Sequence, residues 1–519
     1  MELMKRQIRK NQIDKRIMHQ FMLDEDYNIP DSKEDVKRIV LSEGTVKIED
    51  AKNMENQVHV KGAIHFCVLY ETEGIEPGKC SLEGMVPFEE MIYVEEEKDA
   101  LFVMKDCKVD FQTSMIHSRK LSIKALVEMQ ATLEKVKEEE VTVDVDSDFA
   151  VYKRKKEINL LKLHTVKKDT YRVKEEMQLS GTKETIETLL WSDITSRKMD
   201  TRLGDGELWI DGELLAFCFY ESPDGKIDWI EQSVPYQGRV NCPGAQIEMY
   251  HHVNGSFQDV HVEVRPDEDG EMRVIGIEGT VELQMAVYEE EKVELLEDVY
   301  SLKMQCEPKR EEIICEEPIL QNHSKCKMIE RLSLPELKED ILQICHSKGS
   351  VETESVEITE EGLLIEGILH VSFLYVTSND ALPFDVWQGM IPFSHLISCN
   401  QMGKDITYDI TSALEQLSVS LLGGDDVEVK AVLAFHGFLK RQIPISTITD
   451  ICTEPFSMAE IEKRPGIVGY IVKEGDDLWK LAKRYNTTIE GIKTINEMKD
   501  EVLKIGERIL IFKESMSIL

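Results

Sequence analysis

The sequence predicts a mainly β protein: three copies of one β-sandwich or barrel-like domain, then a small α+β module running strand, helix, helix, strand. Two observations carry this expectation. One skeleton occurs three times with fixed spacing, and each copy holds runs that alternate apolar and polar residues. Lys33-Glu34 is followed 29 positions later by Gly62, and Gly62 is followed 8 later by Tyr70. Lys183-Glu184, Gly212 and Tyr220 keep both intervals, as do Lys338-Glu339, Gly367 and Tyr375. A Val/Ile-Pro-aromatic triplet trails each copy: Val86-Pro87-Phe88, Val234-Pro235-Tyr236 and Ile391-Pro392-Phe393. The unit recurs every 150–155 residues, the length of a domain and not of a solenoid turn. Triplication suits a scaffold or binding array better than an enzyme.

The spacing sets the expected order of elements. Residues 1–27 are a basic segment, in which Lys5, Arg6, Arg9, Lys10, Lys15 and Arg16 outnumber Glu2 and Asp14. They read as a frayed basic helix or tail, with a docking peptide as the sharper alternative. The repeats span 28–145, 165–305 and 326–455, and the module spans 466–513. Each repeat opens on helical spacing: Val36, Ile39 and Val40 share one helical face behind Pro30, and 184–190 and 339–344 correspond. Strands follow at 46–49 and 58–66, with 363–375 matching in the third copy. The landmark glycine marks a bulge or a close backbone approach, and the triplet proline marks an edge or a strand start. Closing strands come at 120–127, 272–277 and 427–432. The charge-rich stretches 134–156 and 307–327 read as extended, solvated linkers.

In the C-terminal module, 470–474 is a strand and Gly475-Asp476-Asp477 a turn whose aspartates can cap a helix. Leu478, Trp479, Leu481, Ala482 and Tyr485 form a helical stripe. Ile489, Ile492 and Ile495 mark a second helix, and 508–512 a closing strand.

Composition narrows the function classes. In 519 residues the apolar share is 42%, enough for a core in each unit, and the net charge is −37. Nucleic acid and anionic membrane surfaces are disfavoured partners for so acidic a chain. No run of about 18 apolar residues exists, so no membrane-spanning segment is expected, and no apolar stretch follows the basic start as in a signal peptide. The eleven cysteines are scattered without a C-x-x-C pair, which points to reduced, buried thiols, a reducing cytosol and no metal site. No phosphate-binding glycine loop or catalytic triad pattern is present, so no catalytic residue and no cofactor is expected.

Residues Tyr470, Val472, Lys473, Gly475, Asp476, Leu478, Trp479, Leu481, Ala482, Tyr485, Ile492, Asn496, Leu503, Gly506, Ile509 and Ile511 resemble a LysM domain. The K-E-x-[IV] segment, the G-x7-Y strand and the [VI]-P-[FY] triplet resemble the SPOCS domain (DUF3794). Three such domains before one LysM domain resemble the SipL-type spore coat morphogenetic proteins, which are related to SpoVID. The resemblance implies a non-enzymatic protein of the mother-cell cytoplasm at the forespore surface. It would dock through the coat basement-layer ATPase SpoIVA, have other coat proteins as further partners, and promote coat encasement.

LysM domains generally bind N-acetylglucosamine polymers in a groove between two loops. By resemblance those loops are 475–478 and 496–503. The expected partner- or glycan-binding residues are Asp476, Asp477, Leu478, Trp479, Asn496, Met498, Lys499, Asp500 and Leu503. Asp477 stands where threonine is usual, and Glu474 and Ile505 replace common prolines. The loops carry Asp476, Asp477, Glu497, Asp500 and Glu501 against Lys499 alone. Carboxylates are costly to desolvate against a neutral sugar and suit a basic protein surface better. Trp479 reads as a core or half-core residue before a sugar platform, and Tyr70, Tyr220 and Tyr375 as core aromatics with a wet hydroxyl. His65 and His370 match one another, but Leu215 takes that place in the second copy, which argues against a shared metal or catalytic role. Two function classes follow: an assembly scaffold with a protein-binding LysM domain, or a peptidoglycan-binding protein of cortex or wall.

Overall fold

The computed structural model describes residues 1–54, 56–73, 78–94, 100–334, 341–379, 383–423, 426–457 and 465–513. The Lys338-Glu339 landmark and the Glu95-Glu96-Glu97 run lie outside the described residues. The first repeat supplies β1 (Glu2–Asn28), β2 (Val36–Met54), β3 (Gln57–Thr72), β4 (Lys79–Tyr93), β5 (Leu101–His117) and β6 (Lys120–Asp146). They form two antiparallel sheets, ordered β1-β6-β5 and β2-β3-β4. The second supplies β7 (Tyr152–Gln178), β8 (Thr188–Leu203), β9 (Glu207–Glu221), β10 (Ile227–Asn241), β11 (Tyr250–Pro266) and β12 (Met272–Tyr300), ordered β7-β12-β11 and β8-β9-β10. The third supplies β13 (Met304–Ser333), β14 (Ile341–Ile358), β15 (Gly362–Thr377), β16 (Phe384–Ser398), β17 (Ile406–Gly423) and β18 (Asp426–Pro455), ordered β13-β18-β17 and β14-β15-β16. The paired sheets face each other across an apolar core. In the first repeat Val127 and Met129 of β6 pack with Val60 and Ile64 of β3. The mainly β fold expected from the alternating runs is the one observed.

Three local expectations are corrected. The basic segment is neither a helix nor a tail but β1, paired with β6 along its length. Its cations meet the acidic run of β6, with Lys5–Glu140 at 2.9 Å, Arg9–Glu138 at 3.6 Å and Lys10–Glu139 at 3.2 Å. The local charge excess is half of a cross-strand zipper. Stretches 134–156 and 307–327 are largely strand: the end of β6, the start of β7 and most of β13. Within the opening segments strand begins at Val36, Thr188 and Ile341, residues 184–187 precede their strand, and 339–340 lie outside the described residues. The ladder of β2 shifts register between Val36 and Arg38 and again between Ile39 and Leu41. β8 shifts between Leu189 and Trp191, and β14 between Ile344 and His346. Each shift inserts a residue, breaks the period of two and imitates helical spacing.

The landmarks have a packing cause. Gly62, Gly212 and Gly367 lie directly across the ladder from Phe88, Tyr236 and Phe393, the aromatics of the triplet. Each ring covers its glycine: a Cβ on Gly212 would stand 2.3 Å from Tyr236 Cζ, and one on Gly62 2.7 Å from Phe88 Cζ. Each triplet proline sits on an edge strand, β4, β10 or β16. The landmark tyrosines are buried, and the Tyr70 hydroxyl donates to the Glu34 carbonyl at 3.1 Å. Gly212→Ala should cost about 1–3 kcal/mol by forcing the Tyr236 ring aside. Thermal melting should show a smaller loss for the same change in a Tyr236→Leu background.

The three repeats close around a pseudo-threefold axis. Equivalent residues Val40, Leu190 and Cys345 meet there with Leu69, Phe219 and Leu374 in one cluster. Glu43, Asp193 and Lys348 are likewise equivalent, each opposite the same ladder position, Cys67, Phe217 and Ser372. Lys348 Nζ donates to Glu43 Oε2 at 2.7 Å and to Asp193 Oδ1 at 3.1 Å. His346, stacked on Phe217 at 4.2 Å, bridges Asp193 at 3.1 Å and Glu231 at 2.6 Å. Burial opposes charge on Asp193, yet Lys348 and His346 hold its carboxyl below the usual range. Burial likewise opposes the imidazolium, yet Asp193 and Glu231 raise the His346 pKa above its ordinary 6.5. A raised folded pKa stabilises fully below the unfolded value and loses that contribution as pH rises through the folded one. The stability gap between wild type and His346→Gln should therefore be widest below pH 6.5 and narrow above it, as urea titrations across pH 5.5–8.5 would show.

Candidate functional site

The C-terminal module is β19 (Ile467–Ile471), α1 (Leu478–Tyr485), α2 (Ile489–Ile495) and β20 (Arg508–Phe512), with β19 and β20 paired antiparallel. Asp477 caps α1 by accepting from Lys480 N at 2.7 Å, and Asn486 closes it in the left-handed conformation. Thr488 caps α2 through Gly491 N at 2.9 Å. Val472, Leu478, Leu481, Ala482, Ile492, Ile509 and Ile511 form the core.

This core is not self-contained. Tyr300, Tyr152 and Leu302, from the end of β12, the start of β7 and the connection after β12, pack into it. Trp479, 9% exposed, meets the Tyr300 ring edge-on at 4.9 Å, and Tyr300 stacks on Tyr152 at 5.0 Å. Trp479 Nε1 donates to Asp298 Oδ2 at 2.9 Å, and Lys483 Nζ reaches Asp298 Oδ1 at 2.7 Å. The Tyr300 hydroxyl donates to the Thr487 carbonyl at 3.0 Å, and Asn486 Nδ2 to the Leu302 carbonyl at 3.2 Å. Trp479 thus seats the module on the body.

The other residues singled out in the sequence divide by role. Asp476 holds the turn, accepting from the Tyr470 hydroxyl at 2.9 Å and Lys473 N at 2.8 Å. Asp477, besides capping α1, pairs with Arg154 of β7 at 3.1 Å. Leu478 is core, and Met498 and Leu503 pack against it from the second loop. Asn496 is a structural clamp: its Nδ2 donates to the Leu510 carbonyl and its Oδ1 accepts from Leu510 N, both at 2.7 Å. Lys499 and Asp500 are exposed, with Asp500 accepting from Val502 N at 3.3 Å, and Glu501 pairs with Lys493 at 3.3 Å. Four of the five loop carboxylates are thereby engaged within the chain.

Sequence reasoning missed two features. One is the seat: Asp298, Tyr300, Tyr152 and Arg154. The other is the outer face of the module's sheet. Ile467, Ile471, Leu510 and Phe512 share it, 60%, 56%, 47% and 37% exposed, together with the exposed Arg508 opposite Ile471. Alternation in 467–471 and 508–512 carried this signal, since β19 and β20 place apolar residues on both faces. Among the described residues no group of three or more His, Cys, Asp or Glu has the arrangement of a metal site, and no helix is long and apolar enough to cross a membrane.

Comparison with known proteins agrees with the architecture. The family described as SipL, SPOCS domain, matches residues 35–121, 185–265 and 340–422, and the LysM domain matches 470–512. These are non-catalytic binding domains. The probable peptidoglycan endopeptidase LytE of Bacillus subtilis is 44% identical over 48 residues, which cover 9% of this chain and 14% of that relative's length. No solved structure matches. The three matched segments fall one in each six-stranded repeat, and the fourth coincides with the helical module. The chain therefore belongs to the SipL-type family, with three SPOCS domains followed by one LysM domain.

Proposed function

We propose that this protein is a non-enzymatic adaptor of spore coat assembly in the mother-cell cytoplasm, and that its LysM module docks it at the forespore surface onto the coat ATPase SpoIVA. The observation that carries this reading is the largely apolar, solvent-exposed outer face of the module's sheet, Ile467, Ile471, Leu510 and Phe512. An exposed apolar face with one aromatic and Arg508 at its edge suits a protein surface that can bury it. A neutral sugar polymer needs aligned polar groups, and in the two loops Asp476, Asp477 and Asn496 spend theirs inside the chain. The closed ring of three SPOCS domains supplies a rigid body, with separate surfaces for other coat proteins.

Ile471→Glu with Leu510→Glu tests this. Both positions are exposed, so the fold should persist. Affinity of the purified full chain for purified SpoIVA should fall at least tenfold. Unchanged affinity would refute the assigned surface. The match to LytE favours the second reading, attachment to peptidoglycan of cortex or wall. Tight binding of the full chain to an N-acetylglucosamine polymer, with none to SpoIVA, would decide for it.

A further inference from the structure

The foot of each repeat carries the same device. A register shift falls near the end of β6, β12 and β18, and in each case it places an aspartate: Asp144 opposite Met4, Asp298 opposite Arg154 and Asp450 opposite Lys309. The shift turns the strand at its foot; in the first two repeats the carboxylate meets a cation of the next strand, and in the third it stays with its own ladder partner. Asp144 takes Lys153 and Lys155 at 2.7 and 3.1 Å, and Asp450 takes Lys309 at 3.0 Å. Asp298 differs from both. It receives Arg310 from β13 at 3.2 Å, and also the indole N–H of Trp479 and the ammonium of Lys483.

The surroundings of the second foot have diverged to match. Tyr152 and Tyr300, partners across the ladder, stack there, whereas the same positions hold Glu2 and Asp146 in the first repeat and Glu307 and Cys452 in the third. At these ladder positions, among the described residues, the second foot alone carries a stacked aromatic pair. Arg154, across the ladder from Asp298, holds Glu297 at 2.7 Å and Asp477 of the module at 3.1 Å.

We propose that this foot is a receptor for the chain's own LysM module, and that a ligand of the 475–478 loop must displace the module from it. The site has the parts of a specific interface: a buried aromatic anchor, a charge-assisted bond to its indole, and flanking ion pairs on both sides. The latch leaves the sheet face of Ile471 and Leu510 outward while it holds the loop at Asp477 and the helix face at Trp479. This inference rests on contacts within the chain and stands apart from the identity of the coat partner.

Hydrogen exchange of the full chain tests it, comparing wild type with Asp298→Ala/Arg154→Ala and with Trp479→Phe, which keeps a ring but removes the indole donor. Exchange in 478–486 should rise at least tenfold in the double variant and less in Trp479→Phe, while 120–133 of the first repeat stays protected. Titration with a soluble N-acetylglucosamine hexamer is the second arm, and the double variant should bind at least threefold more tightly than wild type. Unchanged exchange in 478–486 would overturn the latch. Equal affinity for the hexamer, or none in either protein, would overturn the requirement for displacement. Neither result depends on whether SpoIVA binds.

Discussion

Lys348→Glu should open the ring of SPOCS domains. The substitution puts three carboxylates on equivalent strands of one axis, with Glu231 beside them. Asp193 at 7% side-chain exposure has little water to screen it, while Lys348 and Glu43 at 32% each are partly solvated. Like charges so placed cost several kcal/mol, and partial solvation brings the expected loss to about 3–4 kcal/mol. The thermal midpoint should drop, and the hydrodynamic radius should grow before secondary structure is lost. Exchanging the charges, Glu43→Lys with Lys348→Glu, should recover most of the loss because the two positions are equivalent around the axis. If the exchanged variant melted with the single mutant, the axis would not set how the repeats associate.

Trp479→Ala should be the most damaging change in the C-terminal module. Removing a buried indole costs about 3–5 kcal/mol, a large part of what a domain this small possesses. Here the ring is also the hinge between module and body, so Asp298 loses a donor and Tyr300 a partner. Two outcomes are expected together: the module loses protection from exchange, and the full chain loses SpoIVA binding. Trp479→Phe should retain most of the folding and lose about 1–2 kcal/mol of docking, since only the bond to a charged acceptor goes. An alanine variant that kept a protected module would place the ring outside the core.

The mainly β class, the threefold repeat and the βααβ module were legible in the sequence because each rests on local periodicity. The glycine and triplet landmarks were legible as positions but not as a pair, since nothing in one strand says which residue lies across the ladder. Register shifts explain the misread opening segments: after a bulge, Val36, Ile39 and Val40 follow helical spacing on a strand. The basic start misled for a related reason. Its partner run, Glu138–Glu140, lies over a hundred residues away, and only β1–β6 pairing brings the charges together. In the candidate site, Trp479, Leu478 and Asp477 were found by pattern, but their roles depend on Asp298, Tyr300 and Arg154. Those residues have no counterpart in the LysM pattern, because they belong to the surface on which this particular module sits.

In the proposed docking, the outer face of the LysM sheet brings the chain to the forespore. Fluorescent fusions in sporulating cells test this, comparing the full chain, the Ile471→Glu/Leu510→Glu variant and a chain ending at residue 465. A ring of signal around the forespore is expected for the full chain and diffuse mother-cell signal for the other two. A forespore ring from the chain lacking the module would contradict it.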